Sequence, residues 1–163
     1  MQARRQRPRR SGPRCDGLSG MGKSYRYTDI RRVAVDPSIV WEVVSDHERM
    51  SEWTPSRKVV LEHPGSPDRN GVGAIRALHM FGPTIRERVT GFEPPLALRY
   101  VLVSGLPFRD YTGEITVAPD GHGCQMSTTI TFRTIIPGTQ IIVALAIRIA
   151  SAAAARAAQR RTR

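Results

Sequence analysis

The chain has 163 residues, enough for one domain with its own core, since about 150 residues bury roughly 68–70% of their unfolded surface. Its formal charge is +11, but six arginines and one aspartate lie in residues 1–20 and five arginines with no acid in residues 148–163, so the ends hold all but about +1 of it. That excludes a uniformly basic domain that steers nucleic acid onto itself. The two cysteines, Cys15 and Cys124, exclude a disulfide framework and a thiolate metal site and fit a reducing cytoplasm.

Residues 1–22 combine Arg, Pro, Gly and Ser with almost nothing apolar. Such a composition cannot repay the entropy of ordering, so they read as a disordered basic tail ahead of one domain over 23–160. The tail lacks an apolar stretch and is no secretory signal.

The domain opens with a strand expected over Tyr25 to Val35, ending at Asp36-Pro37, where Asp36 can cap a helix and Pro37 suits its first turn. Val40, Val43, Val44 and His47 follow at helical spacing, predicting a short helix over Pro37 to Ser45. A second short helix is expected over Asp46 to Trp53, stopped by Thr54-Pro55.

Six strands are expected next, at Lys58 to Glu62, Val72 to Phe81, Ile85 to Phe92, Ala97 to Val103, Asp110 to Ala118 and Gly123 to Arg133. Tyr111, Gly113, Ile115 and Val117 share one face, as do Cys124, Met126, Thr128, Ile130 and Phe132. One apolar face per strand predicts a sheet covered on one side only.

The cover is a helix from near Pro137 to about Gln159. Ile141 to Ile147 are apolar on every side, which predicts burial against more than one surface. The apolar run from Ile141 to Ala155 is shorter than the approximately 20 residues that cross a bilayer. The class is therefore α+β, a seven-stranded antiparallel curved sheet wrapped around a long C-terminal helix, with two short helices after the first strand.

Three segments carry a resemblance: VAVDPSIVWEVVSDHERMSEWTPS, RERVTGFEPPLALRYVL and GLPFRDYTGEITVAPDGHGCQMSTTITFR. In these and in element order the chain resembles the START-like, helix-grip (SRPBCC) superfamily, in its bacterial polyketide cyclase/dehydrase-like branch. The resemblance implies a cavity between sheet and C-terminal helix that takes a hydrophobic or aromatic molecule, lipid or polyketide-like. It specifies the fold better than the ligand.

On the faces turned to that cavity, Glu87 between Ile85 and Val89 is an unusual place for a carboxylate. With Arg76 outside, the preceding strand turns Ile75, Ala77, His79 and Phe81 inward. A three-residue connection, Gly82-Pro83-Thr84, would then set His79 across from Glu87 as a general base or polar anchor. These two are the candidate catalytic residues. Trp53, Ile75, Phe81, Tyr100, Tyr111, Met126, Ile142 and Leu145 are expected to join them in the cavity wall.

No phosphate loop, dinucleotide glycine pattern, nucleophile elbow or zinc motif occurs, so neither cofactor nor metal is expected. The expected partner is a hydrophobic small molecule and no specific nucleic acid, leaving weak contact of the Arg-rich ends with polyanions or an anionic membrane. Binding of that molecule is the first expectation. Cofactor-free polyketide cyclisation or dehydration is the second, and a basic-tailed nucleic-acid or membrane-surface adaptor the third.

Overall fold

The computed structural model describes residues 22–162; the tail expected over 1–22 lies, but for Gly22, outside them. Seven strands form one antiparallel sheet: β1 (Lys23–Val33), β2 (Lys58–His63), β3 (Ile75–His79), β4 (Thr84–Glu93), β5 (Ala97–Ser104), β6 (Arg109–Asp120) and β7 (Gly123–Thr134). Their spatial order is β1-β7-β6-β5-β4-β3-β2, a meander from β2 to β7 with β1 returned to the far edge beside β7. Register shifts between β2 and β3, β4 and β5, and β6 and β7 bend the sheet, because an extra residue on one strand locally raises its twist.

Helix α1 (Pro37–Ser45) forms where Asp36 accepts from the Ser38 backbone N–H at 2.8 Å and Pro37 supplies the first turn. It buries Val40, Trp41, Val43 and Val44, and Trp41 packs on Phe92 with ring centroids 5.1 Å apart. The second expected helix contracts to one 3-10 turn at Met50–Glu52, although Met50 and Trp53 are buried as its pattern required.

Helix α2 (Thr139–Arg160) follows Gly138, whose φ of 82° turns the chain through a conformation that costs other residues more. Its buried positions are Ile147, Ser151, Ala154 and Ala158, one stripe at spacings of four, three and four. Small residues there let the helix lie close to the sheet and α1. Arg31, paired with Asp29 at 2.7 Å, reaches the Arg148 carbonyl at 3.4 Å and ties β1 to the helix.

The isoleucine-rich start of α2 differs from expectation. Ile141, Ile142, Leu145 and Ile149 are 53–69% exposed, as are Ile135 and Ile136 just before the helix at 73% and 43%. A helix can bury only the stripe that meets a neighbour, and here that stripe is the small-residue one; nothing among the described residues covers the other side. By length and composition alone, α2, with a mean hydropathy of 1.8 over its best 18 residues, would be long and apolar enough to cross a membrane.

Leu98 is fully buried and Leu145 is 57% exposed, so the same truncation should separate them. Leu98→Ala should cost about 2–5 kcal/mol in urea unfolding and Leu145→Ala less than about 0.5 kcal/mol. Equal losses would mean that the outer face of α2 is covered in the folded protein.

Candidate ligand cavity and its polar pole

Between the inner face of the sheet and α2 lies a cavity of about 160 Å³. Its walls are mostly apolar, with Leu78, Ile115, Met126, Ile130 and Ile147 among them, and its edges are Thr54, Pro55, Met80, Ile85 and Ala146. The cavity exists because α2 brings small side chains to this place. Ala150, Ser151 and Ala154 occupy the helix side where larger residues would fill the space.

One end of the cavity is charged. Arg76 of β3 is 1% exposed and Glu87 of β4 is 5% exposed, and the two are register partners on adjacent strands. Arg76 Nε and Nη2 donate to Glu87 Oε2 at 2.9 and 2.8 Å, and Tyr111 Oη donates to Glu87 Oε1 at 3.1 Å. The Arg76 guanidinium also lies over the Tyr100 ring, 4.4 Å from its centroid, where the negative ring face attracts it. Tyr100 can sit there because its β6 partner is Gly113: any Cβ at that position would overlap the tyrosine ring.

Behind the pair is His47, which is fully buried. Arg76 Nη1 stands 3.2 Å from His47 Nδ1, and His47 Nε2 stands 2.9 Å from the Asn70 carbonyl. Arginine only donates, so Nδ1 accepts and Nε2 carries the proton. Burial, aided by the Arg76 charge, holds the imidazole neutral down to about 3. Burial also pushes both the Tyr100 and Tyr111 hydroxyls up, with the Glu87 charge adding to it. The pole is thus a chain from Asn70 through His47, Arg76 and Glu87 to Tyr111, and it holds one positive and one negative charge.

The expected register of β3 against β4 is corrected by the structure. The connection is Met80 to Pro83, with Met80 donating to the Pro83 carbonyl at 3.3 Å, and it pairs Arg76 with Glu87 and His79 with Thr84. An odd shift of three positions turns β3 over, so Arg76 and Leu78 face inward while Ile75 and His79 face out. The physical reason is charge pairing: with Glu87 inside, the arginine that neutralises it must enter too. His79 accordingly meets Thr84 Oγ1 at 3.1 Å and is no partner of Glu87. Phe81 is 84% exposed in the hairpin, with the Arg57 guanidinium 5.2 Å from its ring centroid.

Of the residues expected in the wall, Trp53, Glu87, Tyr100, Tyr111 and Met126 line the cavity, whereas Ile75, His79, Phe81, Ile142 and Leu145 do not. Sequence reasoning missed Arg76 and His47. The signal for Arg76 was the inward carboxylate itself, which required a cation within reach. His47 was visible at helical spacing after Val44, but nothing in sequence tied it to β3.

Two measurements test this pole. Arg76→Met leaves Glu87 buried without a partner and should cost about 3–5 kcal/mol, whereas Arg76→Met/Glu87→Met should recover most of that; a loss under about 1 kcal/mol in the single variant would mean the pair is solvated. Below pH 6.5 the unfolded chain protonates His47, while the folded chain keeps it neutral to about 3. The unfolded state therefore takes up the extra proton, and the stabilisation, complete above pH 6.5, is lost as pH falls toward about 3. Urea titrations between pH 6.5 and 5 should show a decline of up to about 1.4 kcal/mol per pH unit that His47→Gln removes.

Residues 25–162 match the family described as polyketide cyclase/dehydrase and lipid transport. No curated protein sequence matches the chain. Among solved structures, TTHA0849 from Thermus thermophilus superposes with a TM-score of 0.68 at 14% identity, over 85% of this chain and 100% of that one. XoxI from Bacillus cereus gives 0.64 at 19% over 83% and 93%, and Ara h 8.0201 gives 0.63 at 12% over 83% and 95%. These likenesses concern the fold alone. The chain belongs to the polyketide cyclase/dehydrase and lipid-transport family.

Proposed function

We propose that the domain binds a small, mainly apolar molecule of about one ring in the cavity between sheet and α2, and that it holds this molecule without transforming it. The carrying observation is an interior space of about 160 Å³, walled by apolar side chains and closed at one end by the Arg76–Glu87–Tyr111 pole. A dry apolar cavity of about 150 Å³ is enough to take benzene, whereas drug-sized ligands occupy roughly 300–1,000 Å³. A long acyl chain or a folded poly-β-ketone needs more room than this conformation offers.

Cyclisation or dehydration is the runner-up, favoured by Glu87 and Tyr111 at the cavity wall. Such chemistry needs a group free to take a proton from the substrate. Glu87 already accepts from Arg76 on one oxygen and from Tyr111 on the other, so neither oxygen is free to meet a substrate proton. His47 stands behind Arg76 with both ring nitrogens engaged. The pole is therefore better suited to orienting a bound molecule than to moving its protons.

Calorimetric titration with toluene or ethylbenzene should give saturable one-site binding. Ala150→Phe, which adds a ring where α2 faces the cavity, should weaken it at least tenfold while leaving the domain folded by circular dichroism. Unchanged binding in that variant would put the site elsewhere, and no binding of either compound by the parent protein would sink the cavity reading.

A further inference from the structure

Eleven large apolar side chains are exposed among the described residues, and six of them fall within 135–149: Ile135, Ile136, Ile141, Ile142, Leu145 and Ile149. The last four recur at i, i+1, i+4 and i+8, on the side of α2 opposite the stripe of Ile147, Ser151, Ala154 and Ala158 that meets the rest of the domain. Ile135 and Ile136 stand just before the turn into the helix. Only 22% of the most apolar stretch of α2 is buried, so folding leaves this side in water. Single exposed apolar residues need no explanation, whereas a cluster marks a contact surface.

The charges around the cluster are mostly of one sign. Arg148, three residues after Leu145, and Arg156, seven after Ile149, fall on or beside the same side of the helix. Both are exposed, and neither pairs with an acid among the described residues. At the other end, Ile135 and Ile136 share a surface groove with Phe108, Arg109 and Arg133, and of these two arginines Arg133 reaches Asp110 at 3.4 Å. From Gly121 to Arg163 the sequence holds six arginines and no acid. Residues 1–20 add six arginines and one aspartate, and they join the domain through Gly22, where a Cβ would stand 3.8 Å from the Ile135 side chain. The basic N-terminal segment is therefore attached at the edge of the apolar cluster.

We propose that this side of α2 docks the domain on an anionic lipid surface, with Ile141, Ile142, Leu145 and Ile149 at the boundary between head groups and acyl chains and the arginines around them among the head groups. An apolar helix face with cations at its margin gains from both contacts at once, and an arginine stem can lie along apolar surface while its guanidinium reaches a phosphate. The helix lies on the membrane and does not cross it, because its other stripe is taken by the sheet and α1. A second copy of the chain is the competing occupant. A twofold contact sets one patch against itself, and here it would bring arginines together in a segment without an acid to separate them. An anionic surface removes that conflict. None of the four apolar residues, nor Arg148 or Arg156, lines the cavity, so the docking is independent of the binding function proposed above.

The full chain should be sedimented with sucrose-loaded vesicles of phosphatidylcholine alone and of phosphatidylcholine mixed with phosphatidylglycerol. It should bind the anionic vesicles at least tenfold more tightly than the neutral ones, and lose most of that preference between about 0.1 M and about 1 M salt, where the screening length falls from about 10 to about 3 Å. Ile141→Gln/Leu145→Gln should weaken vesicle binding at least tenfold while the protein melts at nearly the same temperature, since both residues are exposed. Arg148→Gln/Arg156→Gln should weaken binding to anionic vesicles by about fivefold for each arginine lost and leave binding to neutral ones unchanged. Without vesicles the parent should sediment as a monomer. Anionic binding that survives Ile141→Gln/Leu145→Gln would mean that the arginines act alone, and equal binding to both kinds of vesicle would mean that charge plays no part; either result overturns the proposal. Failure to sediment with any vesicle overturns it too. A dimer that Ile141→Gln/Leu145→Gln dissociates makes a second copy the occupant and also overturns it.

Discussion

The burial of one arginine against one glutamate governs the interior of this domain. Moving either charge out of water alone costs several kcal/mol, and only a partner with good geometry repays it. Arg76 and Glu87 are register partners on β3 and β4, so the pairing of those strands and the neutralisation of the charges are one event. Any other register with the same spacing would strand a charge in the core or expose the apolar residues beside it. The pair also recruits its surroundings: Tyr111 takes the second carboxylate oxygen, His47 the remaining guanidinium edge, and Tyr100 the flat face of the guanidinium. Gly113 then follows from Tyr100, since a side chain there would occupy the ring's place.

Much of the architecture was readable because period-two alternation and turn residues are local signals. The strand bounds of β5, β6 and β7 and the inward parity of Tyr111, Ile115, Met126 and Phe132 needed no tertiary information. The capped start of α1 at Asp36-Pro37 needed none either. Glu87 was also readable as an inward carboxylate. What resisted was long-range pairing. The face of β3 depended on whether its hairpin connection held three or four residues, and a rule that keeps arginine outside gives the wrong answer when a buried acid awaits it. The outer face of α2 resisted for a related reason. A helix apolar on all sides does not say which side meets the sheet, and here the small stripe of Ser151, Ala154 and Ala158 does.

That choice of stripe determines how much space the domain encloses. An amphipathic helix that covers a sheet ordinarily turns its largest apolar residues inward. In α2 most of the largest are outside and, but for Ile147, the inward ones are small. The helix can therefore pack against β1, β7 and α1 while leaving a gap beside Ala150, Ser151 and Ala154. Cavity volume is thus controlled by few side chains, and single enlargements on one helix face tune it without touching the sheet.

Stability alone gives no account of what lines that gap. A charged pair enclosed in an apolar interior contributes little net stabilisation compared with well-packed apolar residues of the same volume, and an unpaired buried serine or indole nitrogen subtracts from it. Arg76, Glu87, Ser151 and Trp53 all border the same 160 Å³, although the domain buries many other side chains with no such conflict. Polar groups that weaken a core when distributed at random become useful when they border one space, because they then orient whatever enters it. The pole is matched in charge within itself, so it offers no free counter-charge to an ionised molecule. An uncharged molecule is therefore the occupant that such a wall favours.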